Sequence, residues 1–151
     1  MAIALRSIVT NIAAISVTGL TIYDLDDLKD ALDVSACPVL YPDPVNFVTN
    51  LRVEMNSFEI TGGAKKTIYY TLTYIFAYAP AGSGRGLFDK YPGMVDLAAD
   101  ILDALQAART TISGSLLFDI NTIAGFGPVA DPAGNIFHGC QFLLDCQEFI
   151  N

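Results

Sequence analysis

Tryptophan is absent from this chain of 151 residues, histidine occurs once and cysteine three times. The single histidine, His138, and the three thiols are too few and too scattered for a structural zinc site, which takes four nitrogen or sulfur ligands. The spacing from Cys140 to Cys146 corresponds to about 20 Å along a strand, which exceeds the reach of a disulfide. We therefore expect Cys37, Cys140 and Cys146 to be reduced thiols, as is usual for proteins made in a cytoplasm.

Long apolar runs are also missing, although 52% of the residues are hydrophobic and the mean hydropathy is +0.44. The longest stretches without charge, residues 7–23 and 67–84, are interrupted by polar residues, Gly or Pro. A membrane-spanning helix needs about 20 mostly apolar residues, so neither stretch predicts one, and the N-terminus lacks the pattern of a signal peptide. The excess of apolar residues instead predicts surface that is buried against other copies of the chain.

Basic side chains are scarce, with 8 Lys and Arg against 16 Asp and Glu and a net charge of −8. Nucleic-acid-binding proteins usually show the opposite balance. Residues 60–90 carry four basic side chains and one acid, a local charge of +3 that leaves −11 for the rest. This asymmetry predicts a basic tip that contacts an acidic face, either the segment 24–33 of a neighbouring subunit or another protein of the same assembly. The residues predicted to take part are Lys65, Lys66, Arg85 and Lys90 on the basic side and Asp24, Asp26, Asp27 and Asp30 on the acidic side.

Apolar residues repeat at helical spacing in two parts of the chain. Residues 2–15 predict one amphipathic helix, and residues 92–109 predict a second that begins at Pro92. The second helix carries three acids on its polar side, Asp96, Asp100 and Asp103. Such a stripe is typical of a solvated face rather than of a magnesium or acid–base site. The acidic segment 24–33 predicts a further short helix.

Alternating apolar residues predict strands. The predicted strands are 20–23, 47–60, 67–79, 116–120 and 136–150. The clearest is 67–79, whose large side chains share one face and are typical of half-buried sheet core. The connections are a proline-rich link at 37–44, which should form neither a helix nor a central strand, a turn at Gly62-Gly63, and Gly-rich loops at 80–91 and 125–134.

Together these elements predict a single α+β domain over residues 1–151. Two of its strands, 47–60 and 67–79, should form a hairpin. Two main helices should pack on the sheet. The hairpin and the loop that follows it should protrude from the body.

Two features invite a catalytic or ligand-binding interpretation. The loop from Gly82 to Gly86 lies between a strand and a helix, as a phosphate-binding loop does, but its spacing is neither GxGxxG nor GxxxxGK[ST]. His138 and Cys140 share a strand face, but the sequence supplies no third group to orient the histidine. We therefore predict a surface loop, a histidine that packs, no catalytic residue, no cofactor and no metal.

Several segments along the chain occur in an order that is similar to one known family. They are 17–24 (VTGLTIYD), 37–42 (CPVLYP), the Tyr/Thr-rich strand, the Gly-rich loop, the helix 94–109, and Asp131-Pro132-Ala133-Gly134 leading to His138-Gly139. In this layout the chain resembles the tail terminator (tail completion) proteins of long-tailed bacteriophages, the group that includes the lambda tail terminator. The similarity lies in the order of the segments and covers the whole chain.

The resemblance implies an α+β domain with helices packed on a mixed, largely antiparallel sheet. It also implies that this domain assembles into a ring of six subunits on the last ring of the tail tube. Such a ring ends tube growth and provides the surface to which the head docks. The implied partners are other copies of the chain, the tail tube protein and a head-side connector protein, while DNA passes through without specific binding. The family implies no catalytic residue or cofactor, and it implies a location in the tail or neck of the virion after assembly in the host cytoplasm.

Two other interpretations stay open. One is a different joint of the virion, such as a head-side connector or a tail tube subunit, and a tube subunit would form long polymers rather than one ring. The other is an enzyme or small-ligand protein that uses the Gly82–Gly86 loop and His138. A nucleotide-binding assay would detect the second class.

Overall fold

The computed structural model describes residues 5–55, 66–81, 87–108 and 116–150, with the backbone alone for 87–88, 116–124 and 150. These residues form two helices, α1 (Leu5–Ala13) and α2 (Leu87–Ala108). They also form the strands β1 (Thr21–Ile22), β2 (Val39–Pro42), β3 (Val48–Met55), β4 (Lys66–Pro80), β5 (Leu116–Ala130) and β6 (Ile136–Ile150). The α+β class predicted from the sequence is confirmed.

One sheet contains all the described strands, in the order β1-β2-β4-β6-β5. Strand β3 also pairs with β4, so β2 and β3 follow one another along the same edge of β4: β2 lies beside Tyr74–Ala77 and β3 beside Lys66–Leu72. The β1–β2 pair is parallel and every other pair is antiparallel. The mixed, largely antiparallel sheet of the prediction is therefore confirmed.

Both helices pack on the same face of the sheet. Strands β4 and β6 are paired from Lys66–Ile150 to Pro80–Phe137. Their helix-side residues are large and apolar. With α1 and α2 they form the main core, which includes Ile8, Ile12, Leu72, Tyr74, Phe76, Met94, Ala98, Ile101, Leu105, Phe142 and Leu144. Each fully buried aliphatic or aromatic side chain stabilises the fold by about 1.5–3 kcal/mol relative to exposure, so this layer dominates the stability.

A smaller apolar cluster lies on the opposite face of the sheet. It consists of Tyr23, Leu32, Val39, Tyr41, Ile75, Ala77 and Phe137. Asp131 ties it together, because the Asp131 carboxylate accepts hydrogen bonds from the backbone N–H of Leu32 at 3.0 Å and of Asn135 at 2.8 Å. Ile75 and Ala77 belong to this cluster, whereas Phe76 faces the helices, so β4 is buried on both faces here. It is thus more buried than the half-buried strand predicted.

Two predicted connections are strands instead. The link 37–44 contains β2, which has a strand neighbour on both sides at Val39 and Leu40. Pro42 is tolerated because β1 ends opposite Leu40, so no strand is described on that side of the proline. The predicted loop 125–134 is also wrong in its first half, because β5 runs to Ala130 with a register shift between Ala124 and Gly127. Strand β5 is an edge strand, where a bulge and a proline are both compatible with pairing.

The helix predictions need two corrections. Segment 24–33 forms a three-residue 3-10 turn, Leu25–Asp27, rather than a helix. The side chain of Asp24 accepts the N–H of Leu25 and that of Asp27 accepts the N–H of Asp24, so the acids cap the turn instead of extending it. Helix α2 begins at Leu87, five residues before the predicted start. Pro92 lies in its second turn, where the missing N–H removes one intrahelical hydrogen bond.

Candidate assembly surface

Strand β3 is the most exposed regular element of the described chain. Its last six residues are all exposed, including three large hydrophobic side chains: Leu51 is 55% exposed, Val53 50% and Met55 45%. Among the described strands, β3 pairs with β4 alone. An apolar strand with one unpaired edge offers its outer N–H and C=O groups to another chain.

A bulge sets the faces of β3. Thr49 lies opposite Thr71 and Arg52 opposite Tyr69, so β3 contains one extra residue at this point. Asn50 has a φ of 56°, which asparagine tolerates better than most residues. The extra residue inverts the alternation, so that Val53 lies on the same face of the sheet as Val48. Arg52 and Glu54 consequently occupy the face away from the helices.

Polar side chains cover that second face next to β3. The Arg52 guanidinium pairs with the Glu54 carboxylate at 3.0 Å and lies 4.3 Å from the centre of the Tyr69 ring. The Tyr69 hydroxyl accepts a hydrogen bond from Gln147 at 3.2 Å. Both charged side chains of the pair remain largely exposed, so the pair contributes little to subunit stability, about 0–1 kcal/mol. It is therefore available to a partner.

An open groove of about 400 Å³ follows these residues along the sheet. Its walls are formed by Thr49, Asn50, Arg52, Tyr69, Tyr70, Thr71, Leu143, Asp145 and Cys146. The carboxylate of Asp145 accepts a hydrogen bond from the Thr71 hydroxyl at 2.8 Å. The lining contains neither histidine nor lysine, and its one cysteine lies among buried residues. The arrangement resembles a hydrogen-bonding surface more closely than a reaction centre.

Two cations of the predicted basic tip, Lys66 and Lys90, lie far apart. Lys66 begins β4, whereas Lys90 lies near Tyr78 and Pro80 at the other end of the same strand. Fourteen residue steps at about 3.3 Å each place those ends about 46 Å apart. The expectation that Lys66 and Lys90 share one end of the molecule was therefore wrong, because β4 runs without a turn between their positions. Lys65 and Arg85 lie outside the described residues, and an interface role for the individual cations stays a prediction.

The predicted acidic partner segment bonds within its own chain. Asp26 pairs with Arg6 at 2.8 Å on the surface, and Asp24 accepts the Thr10 hydroxyl at 2.9 Å. Asp27 caps the 3-10 turn, as described above. Asp30 is exposed. These contacts tie α1 to the following turn, so the segment has a structural role whether or not a neighbour also binds it.

His138 packs rather than pairing with a nucleophile. Its ring contacts Tyr91 edge-on at 6.1 Å between centroids. The neighbouring Cys140 is 1% exposed, and burial raises the pKa of its thiol to about 12, so it is protonated and a poor nucleophile at neutral pH. Cys37, Cys140 and Cys146 are all free, as predicted. A Cys–His catalytic pair therefore has no support in this geometry.

The remaining candidate residues are solvated. Asp96, Asp100 and Asp103 are exposed on α2, opposite the buried Met94 and Ala98, so the predicted solvated face is confirmed. No group of three metal-ligating side chains occurs among the residues that the structure describes. Within the same residues, no helix has the length and apolar character needed to cross a membrane. The loop Gly82–Gly86 lies outside the described residues.

The exposure of β3 is the feature that sequence reasoning missed. Leu51, Val53 and Met55 alternate like core residues, and the pattern correctly predicted a strand. One sequence signal of exposure was available, because Arg52 and Glu54 occupy the alternate positions and a strand buried on both faces would not carry them.

No protein-family model matches the chain, and no curated protein matches it.

Proposed function

We propose that this chain is a structural assembly subunit that forms a closed ring. The single observation that supports this most strongly is the exposed edge of β3, where Leu51, Val53 and Met55 remain about half exposed. Such a strand in an isolated subunit is an aggregation hazard, and native proteins cover it or pair it. Burial of this strip against a neighbouring copy also accounts for the high apolar fraction of the chain.

Unlike edges favour a ring over a simple pair. Within the described residues the sheet ends in β5 on one side and in β3 beside the Lys66–Leu72 half of β4 on the other. Contact between two different edges is head-to-tail, and it closes into a ring when the rotation between subunits closes. The two edges are therefore the simplest source of a repeated contact.

Within this class we favour a tail terminator of a long-tailed bacteriophage, a ring on the last ring of the tail tube that docks the head. The support is the resemblance in element order described above, together with the α+β fold. The net charge of −8 suits a ring through which DNA slides without being held. Ring formation, binding to the tail tube and docking to the head connector are all parts of this proposal.

Electron microscopy of the purified protein, alone and with tail tubes, tests the function. We expect single rings, or rings that form at tube ends, with no elongation beyond one layer. Long tubes made from this chain alone would instead indicate a tube subunit. A protein that stays monomeric and leaves tube ends bare would contradict the proposal.

A matched pair of variants connects the test to β3. Val53→Lys places a charge on the exposed strip and should abolish ring formation with little change in subunit melting. Val95→Lys makes the same change at a valine that is 43% exposed on α2, away from the strip, and should leave rings intact. Equal assembly by both variants would show that β3 is not part of the contact between subunits.

A further inference from the structure

The exposed part of β3 is complementary to an antiparallel copy of itself. Residues 51–55 are Leu, Arg, Val, Glu and Met. Apolar side chains of similar size stand at both ends, opposite charges stand next to them, and Val53 is the centre. All five residues are exposed.

Antiparallel pairing of two such strands matches every position. With Val53 opposite Val53 of a second copy, Leu51 lies opposite Met55 and Arg52 lies opposite Glu54. Directly opposed residues in an antiparallel pair lie on the same face with their Cβ atoms about 4.5–5.5 Å apart. One face would then carry a strip of six apolar side chains, and the other would carry two Arg–Glu pairs.

We propose that a second copy of this chain pairs with β3 in this two-fold arrangement when the subunit is free. Charge specifies this partner strand, because a second copy in this register presents Glu54 to Arg52 and Arg52 to Glu54. Charged residues at an exposed edge normally discourage pairing. Here they discourage every partner strand except one that carries the opposite order, and the chain itself carries it.

The subunit structure already holds the side chains that the pair needs. Arg52 and Glu54 are on one face and in contact at 3.0 Å, and the Tyr69 ring supports the guanidinium from below. The Arg52–Glu54 pairs of the two copies would therefore join into one group of four alternating charges without rotation of β3. The three apolar side chains would lose part of their exposure to water, because each gains an apolar neighbour on the added strand.

A two-fold contact joins two subunits and cannot by itself close a ring. The pairing therefore describes the free subunit, whose edge is protected until a neighbour in the assembled ring replaces the second copy. Only this role depends on the proposed function. The dimer itself depends on the β3 geometry alone.

Charge exchange tests the register directly. Arg52→Glu and Glu54→Arg each place like charges opposite each other twice per dimer, so each variant should be a monomer. Mixed in equal amounts, the two should form a heterodimer, because positions 52 and 54 are both acidic in the first variant and both basic in the second. The doubly exchanged protein, Arg52→Glu with Glu54→Arg, should dimerise like the native chain. Asp100→Arg, on the solvated face of α2, is the matched control for Glu54→Arg.

Sedimentation or light scattering over roughly 10 µM to 1 mM supplies the readout. The native mass should rise from 16.2 kDa towards twice that value with concentration, and circular dichroism should be the same for all variants. A monomeric native protein over this range would overturn the inference, as would dimers of either single variant or a mixture that stays monomeric. None of these results would bear on ring formation at tube ends, which electron microscopy tests separately.

Discussion

Strands β3 and β4 are hydrogen-bonded neighbours with the same alternating pattern and opposite surroundings. Six of the eight residues of β3 are exposed, whereas eleven of the fifteen residues of β4 are buried. The difference arises from position: β4 lies between β6 and the β2–β3 edge and packs under the helices, while β3 has a described neighbour on one side only. Alternating apolar residues therefore identify a strand without showing whether its partner is the same chain or another.

The comparison separates two kinds of apolar surface. Residues of β4 and β6 should determine whether the subunit folds, and residues of β3 should determine whether subunits associate. Substitutions in the first group should change the free energy of unfolding, and those in the second should change the oligomeric state.

The largest effect is expected at Gly139, where β6 passes β4. A Cβ atom there would collide with the backbone carbonyl oxygen of Phe76, which cannot move without disturbing the pairing. Gly139→Ala should cost about 4 kcal/mol or more and leave little folded protein. Gly125→Ala in edge strand β5 meets no atom within 4 Å among the described residues and should change stability by less than about 0.5 kcal/mol. Urea unfolding of both variants checks this, and equal stability would show that the β4–β6 contact is looser than described.

Phe142 provides the next contrast. It is fully buried and packs edge-on against Phe76 with ring centroids 6.4 Å apart. Phe142→Ala should lower the free energy of unfolding by about 3–5 kcal/mol, whereas Leu51→Ala on β3 should lower that of the isolated subunit by less than about 0.5 kcal/mol and weaken association instead. Unfolding at low protein concentration measures the first quantity and sedimentation the second. A large loss of subunit stability for Leu51→Ala would place β3 in the core.

Two tyrosines four residues apart on the buried strand β4 differ in the hydrogen bonds of their hydroxyl groups. The Tyr70 hydroxyl donates to the buried Glu148 carboxylate at 3.2 Å, while the Tyr74 hydroxyl has no hydrogen-bond partner among the described residues. Tyr70→Phe should therefore cost about 1–3 kcal/mol, because it removes a bond to a buried carboxylate. Tyr74→Phe should be neutral or stabilise by up to about 1 kcal/mol, since it removes an unpaired polar group. Thermal melting distinguishes the two, and equal losses would mean that Tyr74 has a partner.

Much of the fold could be predicted from the sequence because it depends on local patterns. The periodicity of α1, α2, β4 and β6 reflects which face meets the core, and that is encoded within each segment. The run of acids at 24–33 and the prolines at 38 and 42 led to wrong predictions. The acids cap a short turn instead of extending a helix. The prolines are compatible with β2 because β1 is short and ends opposite Leu40. The position of β3 at an edge depends on which strands pair, which no single segment encodes.

The same limit applies to the candidate surface. Lys66 and Lys90 fall in one basic stretch of the sequence but are separated in space by the length of β4. Their separation follows from a strand that continues without a turn for fifteen residues. The charge order of Arg52 and Glu54, in contrast, can be read from the sequence once the strand is known to be exposed.

The smallest effect concerns pH and the smaller cluster. Desolvation alone would raise the pKa of Asp131, but hydrogen bonds from Asn135, Leu32 and Ala133 outweigh it and hold the pKa below its ordinary value of 3.8. A lowered folded-state pKa adds stability above pH 3.8, and this is lost as the pH falls below that value. The native chain should therefore lose more stability than Asp131→Asn between pH 6 and pH 3. Urea unfolding across this range measures the difference. If the stabilities of the two proteins change in parallel with pH, the Asp131 carboxylate does not stabilise the cluster.

Hydrogen exchange at the β3 amides tests most directly whether the exposed edge is covered by another copy of the chain. Among residues 51–55, the amides that point away from β4 should exchange rapidly in dilute protein and slow strongly as the mass increases. Peptides from β6 should stay slow throughout. Val53→Lys should keep the rapid exchange at every concentration. If the mass increases while residues 51–55 of the native chain continue to exchange rapidly, then β3 is not the contact and the assembly surface lies elsewhere.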